Sequence, residues 1–199
     1  MKVQNISYNS NTITLPETEI LFISDCADIC KLASEYVSNL FPKTQSIFWK
    51  YGMTEIPDLC HWNGDYIISF KSDLILNQSI LSEAQYGAIN FHPSPPKYRG
   101  IGGEYYAIWN GDREFGATCH LMDGKLDHGP IIDIVEFPIE PEDSAETIKL
   151  KADHACFTLL EGFLTCIITG RKINYLNRAW SERLYTRKML TAEKQRRHE

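Results

Sequence analysis

Two side chains suited to acid–base chemistry lie close together near the middle of the chain. Asn90 and His92 are two residues apart at the end of the apolar run 88–91, so in a strand both would project from the same face. An asparagine amide can donate a hydrogen bond to an oxygen that gains negative charge, and a histidine can exchange a proton near neutral pH. The pair indicates a catalytic cluster; the alternative is that the two residues only cap the end of a strand.

A later loop supplies acidic side chains that could complete such a cluster. Asp123 and Asp127 lie in a glycine-containing loop between two predicted strands. Either carboxylate could hold the imidazole of His92 and favour its charged form. A second interpretation takes both acids, with His120 and His128, as metal ligands of mixed nitrogen and oxygen character. The spacing of these four residues matches no familiar closed site, so no metal is expected.

Alternating apolar segments surround these residues and must position them. Strands are predicted at 19–24, 46–49, 66–70, 88–91, 115–121 and 130–137, and helices at 27–40, 78–85 and 104–110. A last long helix follows, with Asp143 as its cap, Glu146 in capping-box spacing and Gly170 at its end. The polar segment 1–17 predicts a short hairpin ahead of the main fold.

This alternation of strands and helices predicts the fold class. It is typical of an α/β, Rossmann-like fold, with a mainly parallel twisted sheet and helices on both faces. In such sheets ligands bind beyond the carboxyl ends of the strands, which is where Asn90 and His92 would lie. We expect a catalytic domain over 1–170 and a C-terminal extension over 171–199 that serves for dimerisation or forms a tail.

Composition excludes several other classes of protein. Of the 199 residues 43% are hydrophobic and 23% are charged, as in ordinary globular domains. The net charge of −6 argues against a nucleic-acid partner, and no apolar run or signal peptide predicts a membrane segment. The six cysteines form no C-x-x-C pair, which favours reduced thiols and a cytoplasmic location. A dinucleotide-binding glycine motif and a P-loop are both missing, which argues against an ordinary NAD or ATP site.

Three motifs together carry a resemblance to a known family. They are Asn90-x-His92-Pro93-Ser94, then Lys97-Tyr98-Arg99-Gly100, then Leu126-Asp127-x-Gly129-Pro130. This set resembles the formyltransferases that use 10-formyltetrahydrofolate, over roughly residues 18–170. The resemblance implies the formyltransferase fold and a catalytic triad of Asn90, His92 and Asp127, with Asp123 and His128 as neighbours outside it.

The same resemblance implies which residues bind the two substrates. For the folate it implies Leu74, Ile75, Leu76, Met122, Asp123, Gly124, Lys125 and Leu126. For the amine acceptor it implies Lys97, Tyr98, Arg99 and Gly100, with Tyr105 and Tyr106 as aromatic walls of the site. Core packing is the alternative for the apolar and aromatic members of both sets.

Within the family, the motifs look most like enzymes that formylate the amino group of a nucleotide-linked deoxysugar for surface polysaccharide. Enzymes acting on glycinamide ribonucleotide resemble one another in a glycine-rich turn that 25–28 lacks, and enzymes acting on methionyl-tRNA carry a further domain and a basic surface. These two acceptors stay as alternatives, as do hydrolysis of formyltetrahydrofolate and a non-catalytic folate- or nucleotide-binding module. A homodimer is an expectation from the resemblance.

Overall fold

The computed structural model describes residues 15–197. The hairpin predicted over 1–17 therefore lies almost wholly outside the described residues, and its last three, Leu15–Glu17, form a short 3-10 turn. The strands are β1 (Glu19–Ser24), β2 (Lys43–Phe48), β3 (Gly64–Phe70), β4 (Ala84–His92), β5 (Arg99–Gly100), β6 (Glu114–Leu121), β7 (Ile131–Pro138) and β8 (Leu184–Tyr185). The helices are α1 (Asp28–Leu40), α2 (Gln78–Ser82), α3 (Gly103–Asn110), α4 (Ala145–Thr169) and α5 (Arg187–Arg197).

A six-stranded sheet in the order β2-β1-β3-β4-β6-β7 forms the centre of the molecule. The first four strands are parallel, whereas β6 pairs antiparallel with β4 and β7 antiparallel with β6. The predicted α/β fold with a mainly parallel sheet is confirmed. The antiparallel edge follows from the short connection between β6 and β7, because a parallel pairing needs a crossover of a dozen or more residues.

Apolar side chains alternate between the two faces of the sheet and build a core on each. Phe22 and Ile68 face the helices α1 and α4, and Leu21 and Ile67 face α2 and the loops beside it. Every one of these four side chains is fully buried or nearly so. The continuous apolar strands are what a sheet covered on both faces requires.

The N-cap of the long helix α4 lies one residue later in the chain than predicted. Ser144 is the N-cap, and it exchanges hydrogen bonds with Thr147 in a capping box, so the predicted box of Asp143 and Glu146 is wrong. Asp143 instead accepts hydrogen bonds from the Glu140 N–H and from Lys151 Nζ. The end at Gly170 is confirmed; its φ of 64° lies in the left-handed region that glycine enters freely.

Helix α4 is also long and apolar enough to cross a membrane by length and composition alone. Half of its most apolar window is buried inside the fold, where Leu160 and Leu164 pack in the core. This is the pattern of a core helix in an α/β domain.

Candidate active site

Three polar side chains lie next to one another across three neighbouring strands at the carboxyl end of β4. Asn90 is directly opposite Ser69 of β3 and His120 of β6 in the sheet register. Ser69 Oγ donates to Asn90 Oδ1 at 2.8 Å, and Asn90 Nδ2 lies 3.0 Å from His120 Nε2. His120 Nδ1 lies 2.9 Å from the Leu121 carbonyl oxygen, so a ring protonated on Nδ1 leaves Nε2 free to accept from the amide. This row fixes the orientation of the Asn90 amide.

Asp127 brings its carboxylate to the same point from the loop between β6 and β7. Its Oδ2 accepts from the Gly100 N–H at 2.8 Å, and its Oδ1 accepts from Asn90 Nδ2 at 3.2 Å. His92 Nδ1 lies 3.5 Å from Oδ2. The structure thus brings together Asn90, His92 and Asp127, while the catalytic roles predicted for them remain predictions.

The surroundings of Asp127 favour its charged form. Burial alone raises the pKa of a carboxyl group, but the charge of His92, the neighbouring imidazole of His120 and the hydrogen bond from the Gly100 N–H outweigh it and lower the pKa of Asp127 to about 2. Asp127 also has a φ of 40°, in the left-handed region that non-glycine residues rarely enter. Asp127 is therefore a buried residue with an ionised carboxylate and a strained backbone conformation.

The contacts in this cluster fall into short and long ones. His92 Nε2 lies 2.9 Å from the Tyr98 carbonyl oxygen, and the contacts of Asn90 with Ser69 and His120 are of similar length. The contacts that reach 3.2 Å or more all involve the Asp127 carboxylate. The same carboxylate also accepts a 2.8 Å hydrogen bond from the Gly100 N–H, so Asp127 has both the shortest backbone contact and the longest side-chain contacts described for this cluster.

Arg99 and Gly100 hold the loop that carries Asp127 in place. The Arg99 guanidinium donates to the carbonyl oxygens of Asp127, Leu126 and Ser181 at 2.7, 2.8 and 3.1 Å. Gly100 has a φ of 89°, and a Cβ there would collide with the Tyr185 carbonyl oxygen. Both residues were predicted to bind the acceptor; the structure shows them holding Asp127 in place, and contact with an acceptor stays a prediction.

The other predicted acceptor residues face different parts of the protein. Tyr98 is 1% exposed and Tyr106 is 7% exposed, so both side chains pack in the core beside α3, and their contact with an acceptor stays a prediction. Tyr98 donates from its hydroxyl to Asp112, which also binds Lys97 Nζ at 2.6 Å. Tyr105 lies under Lys194 of α5, whose Nζ is 3.4 Å from the ring centroid. The reason is that the C-terminal segment folds back over α3.

The segments predicted to bind folate lie on the α2 side of the sheet. Leu76 is buried in the core of that face, and Leu74 and Met122 pack against it. Ile75 and Leu126 are exposed, at 69% and 44%. The remaining members are Asp123, Gly124 and Lys125, in the tight turn where Asp123 Oδ1 accepts from the Lys125 N–H. Their contact with a folate remains a prediction.

The alternative of a metal site gains no support from the geometry. Among residues 15–197, no group of three or more histidine, cysteine or acidic side chains is arranged to hold a metal ion. His128 Nδ1 pairs with Asp123 Oδ2 at 2.6 Å, while His120 lies beside Asp127. The four candidate ligands thus form two separate pairs.

A cavity of about 470 Å³ lies at the opposite, amino-terminal edge of the sheet. Its lining is polar and charged, and includes Glu19, Lys43, Asp65 and Glu83. None of the predicted site residues lines it. The predicted catalytic residues lie at the carboxyl-terminal edge, away from this cavity.

Sequence reasoning missed Ser69 as a partner of Asn90, the bond of His120 to Asn90, and Trp180. Trp180 Nε1 donates to the Gly129 carbonyl oxygen at 2.8 Å, and its ring centroid lies 4.9 Å from that of His120. Ser69 could have been found as the one small polar residue in the otherwise apolar and aromatic strand 66–70. No local signal points to Trp180, because the segment that carries it reaches the site only through the tertiary fold.

Comparison with known proteins decides the family. Residues 55–160, which include Asn90, His92 and Asp127, match the family model described as "Formyl transferase". The chain belongs to the formyl transferase family.

This formyl transferase family member is 37% identical to methionyl-tRNA formyltransferase of Ehrlichia canis over 99 residues, 49% of the chain and 33% of that protein. It is 34% identical to the bifunctional polymyxin resistance protein ArnA of Wigglesworthia glossinidia brevipalpis over 114 residues, 57% of the chain and 17% of that protein. The chain spans about a third of the length of the methionyl-tRNA formyltransferases it matches.

Solved structures share the fold of this family member. An N-formyltransferase from Helicobacter canadensis, in complex with folinic acid and dTDP-3-aminofucose, aligns with a TM-score of 0.69 at 20% identity, over 86% of this chain and 72% of its own. The formyltransferase PseJ from Anoxybacillus kamchatkensis, in complex with a UDP-linked formamido sugar and tetrahydrofolate, aligns with a TM-score of 0.68 at 20% identity, over 89% and 88%. At these identities the likeness shows the fold.

Proposed function

We propose that this protein transfers a formyl group from 10-formyltetrahydrofolate to an amine. The observation that carries the proposal is the convergence of Asn90, His92 and Asp127 within hydrogen-bonding reach at the carboxyl edge of the sheet. All three lie inside the residues that match the family. The related structures with a bound folate support the choice of formyl donor.

Formyl transfer requires proton transfers that these side chains can carry out. The amine nitrogen attacks the formyl carbon, a tetrahedral oxyanion forms, and the bond from that carbon to N10 of the folate then breaks. The attacking nitrogen loses a proton and N10 gains one. The amide of Asn90 and a protonated His92 can donate to the oxyanion when each exchanges its longer contact with Asp127 for the new one. The Asp127 carboxylate remains beside the imidazolium, stabilises it and accepts or relays the proton.

For the acceptor we propose the amino group of a nucleotide-linked amino sugar. One related structure holds such a sugar and another holds a UDP-linked formamido sugar, the formylated counterpart. The chain carries a net charge of −6, which disfavours an extended contact with tRNA phosphates. Methionyl-tRNA is the second candidate, because the curated relatives with the matching sequence act on it. A cytoplasmic location belongs to the same proposal, and all six cysteines are free thiols.

Incubation with 10-formyltetrahydrofolate and single acceptors tests this proposal. The acceptors are dTDP-3-aminofucose, a UDP-linked 4-amino sugar, charged methionyl-tRNA and buffer alone. Absorbance follows the conversion to tetrahydrofolate, and mass spectrometry identifies any formylated product. We expect formylation of a sugar nucleotide. Turnover with methionyl-tRNA alone would replace the sugar by tRNA, turnover in buffer alone would indicate a hydrolase, and no turnover at all would leave a binding module.

A further inference from the structure

Trp180 lies against the two histidines of the candidate site, although it belongs to the C-terminal segment. The centroid of its indole lies 4.9 Å from the ring of His120, in an edge-to-face arrangement, and 6.0 Å from the ring of His92. Such ring pairs attract one another beyond simple area burial. The indole therefore restricts the orientation of both imidazoles.

Hydrogen bonds on both sides hold Trp180 in this position. Its Nε1 donates to the Gly129 carbonyl oxygen at 2.8 Å. The next residue, Ser181, donates its N–H to the Pro96 carbonyl oxygen at 3.0 Å and accepts from Arg99 at 3.1 Å. Strand β8 then pairs with β5, which includes Gly100. The segment is thus attached to both loops that build the site.

The two histidines that contact the indole, and Asp127 beside them, are buried. His92 is 6% exposed, Asp127 is 8% exposed and His120 is 1% exposed. Water is the competing nucleophile in formyl transfer, because its attack on the same carbon gives formate and tetrahydrofolate in place of a formamide. A wall that excludes water protects a reactive group from this side reaction.

We propose that Trp180 is a positioning residue that holds His92 and His120 and excludes water, so that the formyl group passes to the amine. This inference rests on the proposed function. It assigns part of the catalytic site to the C-terminal extension, which the sequence suggested as a dimerisation segment or tail.

Two substitutions of Trp180 test the proposal, with Trp62→Leu as a matched control. Trp62 is likewise a half-buried tryptophan, but it packs against the core on the α2 side of the sheet. Trp180→Leu removes the ring, and Trp180→Phe keeps an aromatic ring without the donor to Gly129. We expect the ratio of formate to formylated product to rise at least about tenfold in Trp180→Leu, to rise less in Trp180→Phe, and to stay unchanged in Trp62→Leu.

A second measurement separates this inference from the proposed function. Side-chain ¹⁵N spectra of the six histidines, assigned with His92→Asn and His120→Asn variants, should show two shifted signals in Trp180→Leu at an unchanged melting temperature. Unmoved histidine signals together with an unchanged product ratio would reduce Trp180 to ordinary packing. If the wild type turns over no acceptor and no water, the proposed function fails, and the histidine signals alone then decide the positioning role.

Discussion

Two polar clusters, each with a buried carboxylate, lie near the carboxyl ends of neighbouring strands, and they differ in the groups that face that carboxylate. The triad cluster consists of Asn90, His92, His120 and Asp127. The ion-pair cluster consists of Lys71, Lys149 and Asp153. Lys71 directly follows β3 and donates its N–H to the carbonyl oxygen of Phe91 in β4, so the two clusters are close neighbours.

In the ion-pair cluster, the Asp153 carboxylate is paired with two lysine ammonium groups. Lys71 Nζ lies 2.6 Å from Asp153 Oδ1, with both side chains buried, and Lys149 Nζ lies 3.2 Å from Asp153 Oδ2. The angle at the shorter contact is poor for a hydrogen bond, so the attraction is mainly between the charges. The Asp127 carboxylate instead accepts a 2.8 Å hydrogen bond from the Gly100 N–H, and its other contacts, at 3.2–3.5 Å, are with the Asn90 amide and the titratable rings of His92 and His120.

Backbone strain does not distinguish the two clusters. Lys71 and Asp127, one in each cluster, are the non-glycine residues with positive φ within the described part of the chain. Burial, charge and strain are therefore shared, and the difference lies in the partners of the two carboxylates: Asp153 faces two lysines, whereas Asp127 faces an amide, two imidazoles and a backbone N–H. We infer that the ion-pair cluster stabilises the fold and that the triad cluster is arranged for a reacting group.

Replacing the aspartate of each cluster by asparagine is the strongest test of the difference between the clusters. Asp127→Asn should lower turnover by about 10²–10⁴-fold, because the carboxylate that supports His92 and the proton transfer is lost. Asp153→Asn should leave turnover per folded molecule unchanged. Steady-state kinetics measures the turnover of each variant, and circular dichroism checks that each variant is folded. Equal losses in both variants would show that the two clusters do not differ in function.

Lys71→Met tests the stabilising role of the ion-pair cluster. We expect the free energy of unfolding to fall by about 3–5 kcal/mol, because Asp153 would lose its buried partner. The double variant Lys71→Met, Asp153→Leu should recover most of that loss, since apolar residues of similar size often replace a buried pair without cost. Urea unfolding gives the values, and Lys149→Met, at a half-exposed position, is the control. An unaffected Lys71→Met variant would contradict the assignment.

The pH dependence of stability should reveal the ionised Asp127. Its pKa is about 2 in the folded chain against 3.8 as the ordinary value, so the folded state favours the charged form. The resulting stabilisation, about 2 kcal/mol, is fully present above pH 4 and is lost as the pH falls through 2. The difference in unfolding free energy between wild type and Asp127→Asn should shrink over that window. A difference that does not vary with pH would contradict the lowered pKa.

Ser69→Ala should produce the smallest effect. The hydroxyl of Ser69 orients the Asn90 amide through a single hydrogen bond, which is worth about 1 kcal/mol. We expect turnover to fall about fivefold, with the melting temperature nearly unchanged. Ser34→Ala removes a hydroxyl bonded to Ser46 on the other side of β1 and serves as the control. A Ser69→Ala variant as active as the wild type would show that the amide needs no such support.

Much of the fold was predictable because its signals are local. The predicted strand 66–70 and helix 27–40 lie within or close to β3 and α1, since continuous apolar runs and a helical stripe arise from neighbouring residues. The antiparallel edge of β6 and β7 and the capping of α4 by Ser144 were not predicted. The antiparallel pairing depends on the path of the chain outside the two strands, which a short sequence window does not contain. The cap is local, but Asp143 with Glu146 and Ser144 with Thr147 both fit the spacing of a capping box, and the spacing does not choose between them.

The sequence by itself determined that Asn90 and His92 would stand at the end of a strand and that an acidic residue of the later loop could join them. Spacing along one strand sets the first, because side chains two residues apart share a face. Only the tertiary structure decided that Tyr98 and Tyr106 are buried, that Arg99 holds the Asp127 loop and that Trp180 lies against the histidines. These contacts join residues far apart in the chain, and they form only when the C-terminal segment folds back over α3 and the site.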